Sequence, residues 1–178
     1  IDAIATAGMV VNHKGLRIVD EGRTGVHLAN QLAASSDTDK LFAVFDQTIW
    51  DGPGTSARIP ANPLLEKAGG TILRANSIEE LADKMGVPAD ALQETLGQYN
   101  TALKNNQLQD LPVTRSTLVK PFPIENLPLM AIPICPGITY TMVGIDIDQH
   151  AQVLDSQSKP IPGPVSYTHL TLPTIYSV

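Results

Sequence analysis

The sequence predicts an α+β fold. Apolar residues at helical spacing are confined to the first two thirds of the chain, and short β-rich runs stand before and between them. Beyond a proline-spaced stretch, the chain turns β-rich with frequent turn signals.

"GMVVNHKGLRIVDEG" (residues 8–22) reads as a hairpin, with runs at Met9–Asn12 and Leu16–Asp20 around a turn of His13, Lys14 and Gly15. "TGVHLANQLAAS" then carries helical spacing at Val26, Ala29, Leu32 and Ala33. "KLFAVFDQTIW" is a continuous apolar run of strand length, as in a buried strand, and "DGPGTSARIPANP" has loop chemistry at nearly every residue. "GTILRA" is a further strand. Ser77 and Glu80 form a capping box for a helix with Ile78, Leu81, Ala82 and Met85 on one face, ended by Gly86. Pro88 suits the first turn of the next helix, whose face is Leu92, Leu96, Tyr99 and Leu103. Residues 105–126 are polar and aperiodic, a linker with little regular structure. Residues 127–155 read as three short strands, the first near Leu129–Cys135.

Composition narrows the function. The 178 residues amount to about one domain, with 43% apolar and 17% charged residues. A net charge of −6 argues against nucleic acid or an anionic membrane surface as partner, and no apolar run reaches membrane-spanning length. The single cysteine, Cys135, excludes disulfides within the chain and reads as a small buried hydrophobe. Asp146 and Asp148 alternate beside His150, but two carboxylates and one His make a weak ligand set. Asp148 reads as a turn residue, and no metal is expected.

The end of the chain is different in kind. "PVSYTHLTLPT", from Pro164, is the in-frame translation of a transposase adapter used in sequencing libraries. Residues 164–178 are accordingly expected to be adapter-derived rather than native, and His169 is given no role.

In their order, these segments resemble the FAD-dependent fumarate reductase-like flavoproteins: soluble fumarate reductases, urocanate reductase, tricarballylate dehydrogenase and, more distantly, ketosteroid dehydrogenases. "GMVVNHKGLRIVDEG" is similar to G-x-x-V-N-x-x-G-x-R-F-V-N-E, and "SIEELADKMGVPADALQETLGQYN" to the family's helix pair with its closing Thr-x-x-x-Tyr-Asn. "PLMAIPICPGITYTMVGIDID" resembles P-x-x-A-x-x-x-x-P-G-x-x-x-T-M-G-G-x-x-I-D, and "PIPG" a segment leading into P-G-L-Y-A-A-G-E. The resemblance implies a substrate-side capping domain at 1–127 and, at 128–163, part of the β segment returning to an FAD-binding domain. That segment is then expected to lack its sheet partners here. The Gly-rich dinucleotide fingerprint is expected upstream.

The resemblance also implies FAD as cofactor and a small unsaturated acid or enone as substrate, with hydride transfer between flavin and a C–C bond α,β to a carboxylate or carbonyl. Tyr140 stands where fumarate reductases carry a histidine donor. It is either a substrate-facing catalytic donor or a Tyr hydrogen-bonded for packing. Thr141 matches the family's threonine and is assigned to substrate binding. Met142 and Gly144 match the flavin-facing T-M-G-G, with Val143 in place of its first glycine. The family's acid, an Arg four residues after the Glu matched by Glu21, falls on Gly25 here. Arg23 is the nearest guanidinium, either catalytic or simply a solvated or substrate-anchoring Arg, and His27 is either a substrate contact or a surface or packed His. The competing function is a non-catalytic α+β binding or interaction domain, or an inactive family member.

Overall fold

The computed structural model describes residues 2–35, 40–137 and 145–165. In chain order the elements are α1 (Asp2–Ala7), β1 (Met9–Val11), α2 (Gly25–Ala34), β2 (Leu41–Asp46), α3 (Gln47–Asp51), α4 (Pro53–Ser56) and α5 (Ala61–Lys67). There follow β3 (Leu73–Ala75), α6 (Ile78–Met85), α7 (Ala89–Lys104), a 3-10 turn at Leu108–Asp110, β4 (Leu129–Ile134), β5 (Gln152–Leu154) and β6 (Pro160–Val165). The fold is α+β. It falls into two units, Ile1–Gly137 and Ile138–Val178.

The first unit is built on a four-stranded antiparallel sheet in the order β1-β2-β4-β3. All six residues of β2 are buried, which is why its sequence is continuously apolar rather than alternating. Met9, Val11, Phe42 and Val44 pack with Leu81 of α6 and with Leu92 and Leu96 of α7. Val10, Leu41 and Ala43 join Leu28 and Leu32 of α2 in a second cluster. The sheet is therefore sandwiched, and no face of β2 is left for water.

The helix pair forms as its sequence prescribes. Ser77 Oγ accepts the Glu80 N–H at 3.1 Å, while Glu80 Oε2 reaches back to the Asn76 N–H at 2.8 Å. Gly86 ends α6 at φ 68°, and the Val87 N–H closes on the Ala82 carbonyl at 3.0 Å. Pro88 caps α7 from just outside it. On α7, Leu92, Leu96 and Tyr99 are buried.

Other expectations need correction. The hairpin's second run pairs with β1 only at Val11–Arg17. One cause is visible: the Val10 N–H, which a second strand would engage, is taken by the Glu21 carboxylate at 2.8 Å. On α2 the buried residues are Leu28 and Leu32, and Val26 is exposed. The "DGPGTSARIPANP" stretch holds α4 and the start of α5, short helices held by packing against neighbours rather than by propensity. Cys135, just past the end of β4, is exposed rather than buried.

The linker at 105–126 has only the 3-10 turn, yet it is firmly packed. The Tyr99 hydroxyl donates to the Phe122 carbonyl at 3.1 Å, and the Asn100 amide makes two 2.9 Å bonds to the backbone of Ile124. The Thr-x-x-x-Tyr-Asn pattern thus staples α7 to this strap. Asp46, wholly buried, N-caps α3 through the Ile49 N–H at 3.1 Å and accepts the N–H groups of Glu125 (3.2 Å) and Asn126 (2.9 Å).

The boundary expected between 127 and 128 falls inside the first unit. There β4 is hydrogen-bonded to β2 along its whole length and to β3 on its other edge, so it does not want for sheet partners. The switch to β-rich sequence marks a strand returning to its own sheet.

In the second unit, β5 and β6 form a two-stranded sheet. Asp148 Oδ1 accepts the N–H groups of His150 (2.8 Å) and Gln152 (2.9 Å), as a turn residue should. Among the described residues there is no cluster of metal ligands, and no helix is long and apolar enough to cross a membrane. β6 runs through the expected 163/164 boundary as far as Val165, and the rest of the tail lies outside the described residues.

Because the four-stranded sheet is complete by Ile134, a chain ending at Gly137 is expected to unfold in one cooperative urea transition. Circular dichroism would check this; a broad, non-cooperative melt would show that the sheet needs the second unit.

Candidate active site

Residues 17–27 lead from the hairpin turn into α2, and buried charges fix their path. Asn12 sets the turn, its Oδ1 accepting the N–H groups of Lys14 (3.0 Å) and Leu16 (3.1 Å). Four residues apart, Arg17 and Glu21 then form a buried ion pair. Glu21 Oε2 accepts from Arg17 Nη2 at 2.6 Å and Oε1 from Arg17 Nε at 3.2 Å. Arg17 also donates to the carbonyls of Val113 (2.7 Å) and Val19 (3.2 Å), with its guanidinium 5.8 Å from the centre of the Tyr99 ring.

The next carboxylate faces the strap. Asp20 Oδ1 accepts the N–H groups of Ser116 (2.8 Å) and Gly22 (2.9 Å), and Oδ2 accepts the Ser116 hydroxyl at 2.5 Å. Burial alone would raise its pKa, but the Ser116 and Gly22 hydrogen bonds and the Arg115 charge together hold it below the ordinary 3.8. Arg115 is itself buried, donating to the carbonyls of Thr6 (2.6 Å), Ser116 (2.7 Å) and Val119 (3.2 Å). A side chain at Gly22 would run into the Ser116 carbonyl and come within 2.7 Å of the Arg115 guanidinium, so this crossing requires glycine. Burial pushes the Tyr99 phenol up to about 12, with the Arg115 and Arg17 charges opposing and Glu21 adding to the rise. Tyr99 remains a neutral donor at ordinary pH.

Arg23 leaves this framework exposed, and its Nη1 lies 3.1 Å from His27 Nε2. With the guanidinium as donor, Nε2 must accept, which puts the imidazole proton on Nδ1. Thr24 N-caps α2, its Oγ1 accepting the His27 N–H at 3.3 Å. The two site residues from the first third of the chain therefore meet, one on the cap turn and one in the first turn of α2. Gly25 lies between them with the Asp2 carboxylate packed against it: a Cβ there would stand 2.5 Å from Asp2 Oδ2 and 2.9 Å from Asp2 Cβ. Tyr140, Thr141, Met142 and Gly144 lie outside the described residues.

Sequence reasoning missed Asp2, Asp20 and Arg115. The Arg17–Glu21 spacing was a usable signal; a buried Arg in an aperiodic polar strap gives none.

The described residues do not form a flavin cradle. Dinucleotides are held at the carboxyl ends of parallel strands by a Gly-rich turn, whereas this four-stranded sheet is antiparallel throughout. A groove of about 600 Å³ runs between α7 and the 3-10 turn, past Gly97, Gln98, Leu111 and Pro112. Its charged lining is Glu94 and Asp110, the wrong sign for a pyrophosphate, and neither Arg23 nor His27 lines it.

The FAD binding domain family model matches residues 2–163. The chain belongs to that family. It is 30% identical over 154 residues to the NADH:acrylate oxidoreductase of Vibrio harveyi, covering 86% of this chain but 14% of that protein. A flavocytochrome c3 fumarate reductase in its open conformation superposes with a TM-score of 0.69 at 24% identity, over 90% of this chain and 27% of its own. The 3-ketosteroid-delta4-(5alpha)-dehydrogenase of Rhodococcus jostii RHA1, in complex with 4-androstene-3,17-dione, matches at a TM-score of 0.58 and 26% identity, over 91% and 32%. The chain thus spans between about a seventh and a third of these proteins' lengths.

Glu21→Ala is expected to cost about 3–5 kcal/mol in denaturant unfolding, since it strands Arg17 in the interior; a loss under about 1 kcal/mol would contradict the buried pair. Asp20→Asn should lower stability at neutral pH and flatten the acid limb. The depressed Asp20 pKa adds stability above the unfolded value of 3.8, and that stability is lost as pH falls through the folded pKa. Urea midpoints from pH 7 to pH 2 would check it, and parallel profiles for variant and parent would refute it.

Proposed function

We propose that this chain is the substrate-side part of an FAD-dependent oxidoreductase that transfers a hydride between flavin and a C–C bond α,β to a carboxylate or carbonyl. Family membership supports the cofactor class. The observation that carries the site is the Arg23–His27 pair at 3.1 Å, presented by a turn whose neighbours are immobilised by buried charges.

In this reading Arg23 anchors the substrate's carboxylate or carbonyl oxygen. A guanidinium is a donor-only fork, so its role here is to orient and anchor the substrate rather than to give up a proton. His27, held by Arg23, contributes the Nδ1–H as a second donor. Tyr140 supplies a neutral hydroxyl to the oxyanion that develops on the substrate, and Thr141 assists in binding. Met142 and Gly144 are assigned to cofactor binding in the same reading. Residues 1–137 then act as the cap, and residues 138–163 as the start of the return to the flavin-binding part.

The donor set favours a substrate with one carboxylate or a ketone. Gly25 and Tyr140 hold positions at which fumarate reductases carry cationic groups, and each lost charge-assisted contact forfeits about 1–3 kcal/mol, roughly 10- to 100-fold. The FAD-loaded full-length protein is expected to turn over a mono-acid or cyclic enone faster than fumarate in anaerobic flavin reoxidation. Tyr140→Phe should lower that turnover at least tenfold. Fumarate as the fastest substrate, with Tyr140→Phe unimpaired, would sink the assignment, and no turnover of any of the three would favour a binding or inactive module.

A further inference from the structure

We infer that Asp2 is a specificity-determining residue, an acidic group packed on Gly25, which lies between Arg23 and His27 in the chain, and that it selects against dicarboxylates. The inference rests on the reading of that pair as the substrate anchor and adds a residue that the family pattern did not supply.

The geometry is local. Asp2 begins α1 and Gly25 begins α2, and the Asp2 carboxylate lies so close to Gly25 that an ideal Cβ there would be 2.5 Å from Oδ2 and 2.6 Å from Cγ. No side chain larger than hydrogen fits at residue 25 while Asp2 keeps its place. The carboxylate also sits against the first residue of α2, the end of a helix at which negative charge is favoured. The electrostatic pull of that helix end is therefore directed at a residue of the chain itself.

Counting charge around the anchor gives the selectivity. Arg23 brings one basic group and Asp2 one acidic group, and His27 Nε2 accepts from Arg23. The Asp20 carboxylate and the buried Arg115 guanidinium are of opposite sign and interact with each other, so together they add no net charge. The anchor's net charge is near zero. One substrate carboxylate or a polarised ketone can use Arg23, but a second carboxylate meets an uncompensated negative charge. Two like charges a few ångströms apart at a protein surface repel enough to shift affinity roughly tenfold, and the effect shrinks with salt.

The test uses the FAD-loaded full-length protein and inhibition constants for two saturated probes, succinate and propionate. Asp2→Asn keeps the shape and removes the charge; Asp2→Ala guards against an effect of the amide. Both are expected to tighten succinate about tenfold relative to propionate at low ionic strength, with most of the gain lost in about 0.5 M salt. An unchanged succinate-to-propionate ratio, while Arg23→Ala weakens both probes, would overturn the role of Asp2 and leave the anchor standing. If neither Arg23→Ala nor His27→Ala alters binding of either probe, the anchor fails and the role of Asp2 falls with it.

Discussion

The buried ion pair between Arg17 and Glu21 is the constraint on which the first unit's architecture depends. Glu21 is fully enclosed, and an enclosed carboxylate is tolerated only when every lone pair it presents is matched. The matching comes from three directions: the guanidinium four residues earlier, the Val10 N–H on the sheet edge, and through Arg17 the carbonyls of Val19 and Val113. One interaction thus ends the hairpin, caps the sheet edge and ties down the strap. A sheet edge closed by a side chain is also protected from pairing with another chain.

Next to it, Asp20 and Arg115 repeat the device one step outward. Asp20 holds Ser116, Arg115 holds the end of α1, and Gly22 is the only residue that lets the two segments cross. Charges buried in this way add little net stability over well-packed apolar groups, but they allow a single arrangement of the backbone. That arrangement also fixes the path of the surface turn that carries Arg23. The strap lacks regular structure because side chains from Tyr99, Asn100, Asp46 and Asp20 satisfy its backbone in place of a helix or sheet.

How far the sequence could be read depended on whether the determinants were local. Ser77, Glu80 and Gly86 act within a few residues of themselves, and the Leu92–Leu96–Tyr99 face needs only helical periodicity, so α6 and α7 were legible. The short helices α4 and α5 were not, since Pro53, Gly54 and Pro60 carry turn chemistry and the helical conformation comes from packing on α1 and α3. Val26 misled because the α2 face is set by what covers Val10 and Ala43, which favours Leu28 and Leu32. Within the candidate site, Arg23 and His27 could be picked out as residue types near a recognisable pattern, and the structure brings their side chains together. Asp2 and Arg115 act on Gly25 and Thr6, far from themselves in sequence, and nothing at either position announces it.

The position of β4 has a consequence for how the protein is made. Its partners across the β2 interface lie roughly 80–90 residues earlier in the chain. As a ribosome delivers the chain from its N-terminus, β1 and β2 are synthesised long before the strand that completes their sheet. For several seconds at ordinary elongation rates, the all-apolar β2 has one edge unpaired. The nascent chain is then most exposed to association with its neighbours, and a chaperone that shields a short hydrophobic strand would find its client there.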